Sequence, residues 1–260
     1  MREPEISVII PAFNEATRLP PFAKRVTDYL EETFPARHEL IVVDDGSSDK
    51  TADSVHKACA NAIIIRQTRN TGKGGAVRTG VLASRGALVL FLDADGAAPI
   101  EEEFRLRQAI LRGADMAIGV RATLQRGHVL RSWSWRRCEM ELPAQNVRWE
   151  FNPFRFMFGR TFALLVEFLL GLNIRDTQCG FKMFRKEWAH FLFSRLKLRG
   201  FAFDVELLHL ARRSGLIIAD IPINWREIDG GKVSMLTDPI LMGRDILRLA
   251  WQKHFSRGRV

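Results

Sequence analysis

The sequence predicts a single α/β domain on a mostly parallel sheet, with helices on both faces and an amphipathic helical region at its C-terminal end. Three observations predict it. Through the first 120 residues, short β-rich apolar runs alternate with segments of helical spacing, the rhythm of a parallel sheet covered by its crossover helices. The chain, 260 residues and 29.7 kDa, is long enough for one sizeable core. A composition of 47% hydrophobic and 27% charged residues is that of a globular protein, which excludes disorder, collagen and a disulfide scaffold.

Taken in order, residues 6–10, 39–43, 62–65 and 87–92 read as buried strands, each an apolar run bounded by turn residues. Residues 116–120 make a weaker fifth. Between them, residues 20–34, 51–60, 76–83 and 101–111 have helical spacing. Ser48 and Asp49 signal one helix start, and Pro99 followed by Glu101 to Glu103 signals another. Beyond residue 120 the rhythm changes. Residues 130–154 are rich in Trp, Arg and Pro without a period, and read as an insertion or lid. Residues 156–172 form a strongly apolar helix candidate, 204–213 a further helix, 216–225 a strand and 238–253 a final amphipathic helix. Neither a repeat nor a linker divides the chain, so residues 1–120 and 121–260 read as two halves of one domain.

Charge is concentrated. Lys and Arg exceed Asp and Glu by 9. Residues 121–160 carry a net of +5 and residues 241–260 a net of +4, so these two segments hold the whole excess. A localised basic surface implies an anionic partner: phosphate, an acidic membrane face or nucleic acid. The Arg-rich stretches carry no zinc-finger, RNP or helix-turn-helix pattern, which sets nucleic acid aside. Three cysteines, at 59, 138 and 179, form no CxxC pair; the expectation is a reducing, cytoplasmic setting without a thiolate metal site. The six histidines likewise show no ligand spacing. The opening MREPEISVII lacks the pattern of a signal peptide, and the best apolar run, residues 161–174, includes Glu167 and is too short to span a bilayer. No transmembrane helix is expected.

In an open parallel sheet, ligands bind beyond the carboxyl ends of the strands. Here the four strand ends are followed by Pro11-Ala12-Phe13-Asn14-Glu15, Asp44-Asp45-Gly46-Ser47, Asn70-Thr71-Gly72-Lys73-Gly74-Gly75 and Asp93-Ala94-Asp95-Gly96. Singly these are weak: with 14 Asp in 260 residues, about one DxD triplet arises by chance. Asp44-Asp45 alone also fits a turn before a helix cap, and the Gly-rich stretch fits a plain loop, since it lacks the Walker pattern. Their convergence on one edge is the signal. An oxygen-rich DxD suits a hard divalent cation, Mg²⁺ or Mn²⁺, bridging diphosphate oxygens, and Asp45 is placed to accept hydrogen bonds from a base or ribose.

The stretches SVIIPAFNE, VVDDGSSDKT, NTGKGGAVRTG and FLDADG together resemble the family-2 inverting glycosyltransferases of the GT-A fold. Residues 176–182 (DTQCGFK), 203–208 (FDVELL) and 224–230 (NWREIDG) resemble, within that family, the dolichyl-phosphate β-glucosyltransferases. The likeness runs from about residue 6 to 249, except for residues 132–152. It implies a nucleotide-sugar site formed by Pro11, Ala12, Phe13, Glu15, Asp45, Gly72, Lys73, Ala94 and Arg121, with Asp93 and Asp95 serving ribose and metal. Where the related mannose synthases carry a further metal-binding Gln, this chain has Ala97, which weakens the GDP-mannose alternative and leaves the metal shell incomplete. The family's Gly-Ser-Lys appears as Gly230-Gly231-Lys232, losing a hydroxyl and keeping the cation.

A sugar hydroxyl needs a general base to attack, whereas a phosphate monoester is already nucleophilic at neutral pH and needs cations to hold it. Arg121, Arg131, Arg155 and Lys232 are the candidates. Asp204 reads equally as the base of a hydroxyl-acceptor enzyme or as an N-cap of the helix after it. The apolar helix flanked by Trp and Arg suits a bilayer interface, though a core or oligomer helix would look the same. The expectation is inverting transfer of glucose from UDP-glucose to a polyprenyl, dolichyl-type phosphate by a protein peripheral on a cytoplasmic membrane face, with homo-oligomerisation left open. The alternative is another donor, or a saccharide acceptor with Asp204 as base.

Overall fold

The computed structural model describes residues 3–121, 171, 176–226, 228 and 237–256. Its centre is a seven-stranded sheet in the order β3-β2-β1-β4-β6-β5-β7. The strands are β1 (Ile6–Ala12), β2 (His38–Asp44), β3 (Ile63–Arg66), β4 (Leu88–Leu92), β5 (Met116–Arg121), β6 (Phe181–Arg185) and β7 (Ile218–Ile223). All pair in parallel except β6, which runs antiparallel to both β4 and β5. The five strands expected in the first half and the one expected near residue 220 are present, so the mostly parallel α/β reading holds.

The described helices are α1 (Leu19–Thr33), α2 (Thr51–Ala58), α3 (Lys73–Ala83), α4 (Glu103–Leu111, entered through a 3-10 turn at Ile100–Glu102), α5 (Lys186–Arg195), α6 (Phe203–Arg213) and α7 (Thr237–Ser256). Successive side chains of a strand point to opposite faces, and β1 shows this directly. Ile6, Val8 and Ile10 pack with Leu19, Val26 and Leu30 of α1 and Leu106 and Ile110 of α4. Ile9 faces the other way, toward Val77 and Val81 of α3, Phe193 of α5, Leu208 of α6 and Ile246 of α7. Two apolar layers thus sandwich the sheet.

Two elements were not anticipated. β6 overlaps the end of the motif at 176–182, and α5 lies in a stretch to which the sequence reading assigns neither motif nor element. Five residues, Phe-Lys-Met-Phe-Arg, with a lysine second, give little strand signal, yet Phe181, Lys182, Met183 and Phe184 are all buried. α3 begins at Lys73, three residues earlier than expected, because Gly72 at φ +89° ends the preceding loop in a conformation only glycine adopts easily. Asp49 does serve the start of α2: its Oδ1 accepts the Thr51 N–H at 2.9 Å. The insertion at 132–152 and the apolar segment 156–172 lie outside the described residues. Among the described residues, no helix is long and apolar enough to cross a membrane.

Candidate functional site

Because β1 to β4 are parallel, their carboxyl ends share one edge. The antiparallel β6 begins at that edge, pairing Phe181 with Leu92, and so brings residues 176–180 there. β5 ends there too, with Arg121 opposite Ile223. The structure therefore gathers Pro11, Ala12, Phe13, Glu15, Asp45, Gly72, Lys73, Asp93, Ala94, Asp95 and Arg121 on one rim. Arg131, Arg155 and Lys232 lie outside the described residues.

The loops of this rim are tied to one another. The Asn14 N–H donates to Ser47 Oγ at 2.8 Å and Asn14 Oδ1 accepts from the Ser48 N–H at 2.8 Å. The Glu15 N–H donates to Thr51 Oγ1, and its carboxylate takes a forked pair from Arg18 at 2.7 and 2.8 Å. Asp45, buried, anchors the Gly-rich turn: Oδ1 accepts from the Thr71 N–H and hydroxyl at 2.8 Å, and Oδ2 from the Gly72 N–H at 2.9 Å. Burial pushes its carboxyl pKa up, and these bonds resist the rise.

At the centre stand Asp93, Asp95 and Lys73. The Lys73 ammonium lies 2.7 Å from Asp93 Oδ1, an oxygen that is buried and accepts no aligned hydrogen bond. Gly180 passes so close that a Cβ there would lie 2.1 Å from Asp93 Oδ2; only glycine leaves room for the carboxylate. Asp95 Oδ1 accepts the Ala97 N–H at 3.0 Å. Burial, then the neighbouring Asp93, raises the Asp95 pKa, while Lys73 and Arg18 oppose the rise. Burial alone would lower Lys73, but Asp93, Asp204 and Asp95 together hold it above an ordinary lysine. A cleft beside the pair is lined by Ala97, Cys179, Gly180 and Trp225.

The remaining charges are already partnered. Arg121 forms a fork with Asp176 at 2.6 and 2.8 Å, and its guanidinium lies 5.4 Å from the Trp225 ring centre. Asp204 lies within α6, whose N-cap residue is Ala202 without a side-chain cap bond; the N-cap reading is therefore corrected. Its carboxylate is 1% exposed and accepts from the Lys182 ammonium at 2.5 Å. Burial raises its pKa, with Lys182 and Lys73 pulling the other way.

Sequence reasoning passed over Arg18, Asp176, Gly180 and Lys182. A buried charge was readable at Lys182, the one polar residue of the apolar run 181–184, and Arg18 stands three residues from Glu15, within reach at helical spacing. Asp176 and Gly180 carried no signal of their own beyond the motif that contains them.

Asp93 and Asp95 suit a hard divalent cation. Asp93 meets a single lysine, and its charge disfavours that of Asp95, which a bound cation would relieve. Asp93, Asp95 and Asp204 against Lys73 and Lys182 also leave one net negative charge in the cluster. Among the described residues no group of three or more His, Cys, Asp or Glu forms a metal cage, so further ligands would come from water and an oxygen-rich substrate.

The sequence pattern of Glycosyl transferase family 2 matches residues 7–193. Dolichyl-phosphate beta-glucosyltransferase from Mus musculus is 39% identical over 258 residues, covering 94% of this chain and 74% of its own. The Homo sapiens enzyme of that name is 37% identical with the same coverage, and that of Dictyostelium discoideum 35% identical over 95% of this chain and 74% of its own. Among solved structures, mannosyl-3-phosphoglycerate synthase from Rubrobacter xylanophilus superposes with a TM-score of 0.67 at 18% identity, over 98% of this chain and 75% of that one. Glucosyl-3-phosphoglycerate synthase from Mycobacterium tuberculosis with UDP gives 0.64 at 19%, over 96% and 79%. At such identity these two establish the GT-A fold alone. The pattern match spans the acid-bearing strand ends, Lys73 and Gly180 alike, and by it the chain belongs to glycosyltransferase family 2.

Proposed function

We propose that this protein transfers glucose from UDP-glucose to dolichyl phosphate with inversion, forming dolichyl-phosphate β-glucose. The observation that carries the reading is the relatives' 35–39% identity over 94–95% of the chain, which includes the acceptor half as well as the donor edge. The geometry agrees. Residues at the ends of β1 and β2 form a tied rim suited to a nucleoside, and Asp93, Asp95 and Lys73 offer mixed charge where a diphosphate would lie. Asp95 with Asp93 would hold Mg²⁺ or Mn²⁺, which when bound neutralises charge on the departing diphosphate. Mycobacterium tuberculosis glucosyl-3-phosphoglycerate synthase has been solved with Mn²⁺, UDP and its product.

On the acceptor side no proton has to be removed from a phosphate. A buried, cation-bound Asp204 fits that better than a hydroxyl acceptor awaiting a base. Arg121, Arg131, Arg155 and Lys232 are proposed to hold the acceptor phosphate. The lipid chain calls for a membrane, and an anionic cytoplasmic face is proposed as the docking surface. In support, α7 exposes Leu241, Leu247 and Trp251 beside Arg244 and Arg248, a mixture suited to an interface.

The test is transfer of labelled glucose from UDP-glucose into organic-extractable product, with dolichyl phosphate and dolichol as paired acceptors. Label is expected only with the phosphate; label with dolichol alone would overturn the reading. At saturating donor, Arg155→Ala is expected to lower acceptor kcat/KM about ten- to hundred-fold, the worth of a charge-assisted contact. Flotation with anionic vesicles is expected at low salt and to weaken at high salt.

A further inference from the structure

Lys182 is an unusual residue for the middle of a sheet. It lies in β6 between Phe91 of β4 and Ile118 of β5 and is 0% exposed. Its ammonium donates to Asp204 Oδ1 at 2.5 Å, Cys179 O at 2.6 Å and Thr177 O at 3.3 Å, which accounts for all three of its protons. A buried lysine survives as a cation only beside a partner of this kind. The pair therefore fixes Asp204 on the sheet.

Asp204 sits in the first turn of α6, and that turn abuts the first turn of α3. Gly74 packs so tightly on Phe203 that a Cβ would lie 2.5 Å from the Phe203 Cβ, and the Gly75 N–H donates to Arg199 O at 3.2 Å. The other carboxylate of the first turn of α6, Glu206, secures the same junction: its Oε2 accepts from the Lys197 and Leu198 N–H groups at 3.0 and 2.7 Å. Lys73, first residue of α3, thus pairs with Asp93 at 2.7 Å and also feels the charge of the braced Asp204 on the neighbouring turn.

We propose that Asp204 is a positioning residue: braced by Lys182, it holds the Lys73 turn so that the Lys73 ammonium meets the donor diphosphate beside Asp93. This rests on the UDP-glucose reading above and assigns roles that reading leaves open. Asp204 does not take a proton from the acceptor, because its carboxylate is enclosed and engaged by an internal cation.

The test is calorimetric binding of UDP, with Mg²⁺ present, to the full chain and its variants, together with donor kinetics. Asp204→Asn is expected to weaken UDP binding and raise donor KM about ten-fold, with kcat changed less than about three-fold and partial recovery in Asp204→Glu. In a Lys73→Ala background, Asp204→Asn should cost nothing further, as coupled residues require. Should Asp204→Asn strand Lys182 and unfold the chain, replacing both partners, Lys182→Met with Asp204→Leu, restores an apolar core and should show the same ten-fold loss. UDP binding unchanged in a folded Asp204 variant, or costs that add to Lys73→Ala, would overturn the proposal. So would a 10²–10⁴-fold fall in kcat with UDP binding intact, the mark of a general base. If the parent binds no UDP, the donor reading fails and the brace with it; if only the variants are unaffected, the brace alone fails.

Discussion

Asp93 and Asp176 stand at the same edge of one sheet and behave as opposites. Asp93 is about a third exposed, touches one lysine and keeps a buried oxygen without an aligned donor. Asp176 is closed on Arg121 by two short bonds and a backbone N–H at 3.2 Å. Burial tends to raise the Asp176 carboxyl, but the charge and hydrogen bonds of Arg121, with Lys182, more than offset it and leave its pKa lowered. An acid left short of positive charge is set to receive it from a ligand. An acid already satisfied is structure. The same contrast divides the cluster as a whole: Asp93 and Asp95 are open, whereas Asp204 and Asp176 are closed by Lys182 and Arg121.

The largest effect expected from this contrast falls on the open side. Asp95→Ala should abolish transfer, by roughly 10²-fold or more for a lost charge-stabilising ligand, with an unchanged circular dichroism spectrum. Excess EDTA should do the same to the parent, and Mg²⁺ or Mn²⁺ should restore it. Full activity in EDTA would place Asp95 among the structural acids after all.

Next comes the glycine that makes room for the open acid. Gly180→Ala introduces a Cβ where Asp93 Oδ2 lies 2.1 Å away, so the carboxylate must move by an ångström or so. A displacement of that size at a reacting centre costs about 10²-fold, with about 1–3 kcal/mol of stability for the overpacking. Kinetics and a thermal melt measure the two. A variant that melts lower yet turns over normally would show that the position of Asp93 is not critical.

Legibility in the sequence followed the same division. The strands of the first half were readable because each is an uninterrupted apolar run, and their parallel pairing brought four acidic or Gly-rich loops to one edge without further information. The open acids belong to those loops. The closed pairs were not readable as pairs. Arg121 and Asp176 are 55 positions apart, and Lys182 meets Asp204 only because β6 is inserted antiparallel between β4 and β5. Local spacing holds no trace of an insertion out of chain order. Asp204 reads as a cap because aspartate favours that position; the helix instead begins at Phe203, an aromatic drawn inward by the core.

The smallest effect expected is on the closed side, and it concerns stability. Asp176 has a folded pKa below the ordinary aspartate value of 3.8. Burial opposes this, but the charge and hydrogen bonds of Arg121, then Lys182, more than offset it. An acid with a lowered folded pKa contributes stability above its unfolded pKa and loses that contribution as the pH falls through the folded value. Asp176→Asn should therefore destabilise the protein at pH 7 by about 1–2 kcal/mol, the lower part of the range for a broken charge-assisted bond. The Arg121 side chain is 37% exposed and so partly screened by solvent. The difference from the parent should shrink as the pH is lowered below about 4, because the parent's Asp176 is then protonated as well. Denaturant melts of both proteins at pH 7, 5 and 3 would show the two stabilities converging. Parallel curves at every pH would mean that Asp176 contributes by shape alone, and the line drawn between open and closed acids would fall.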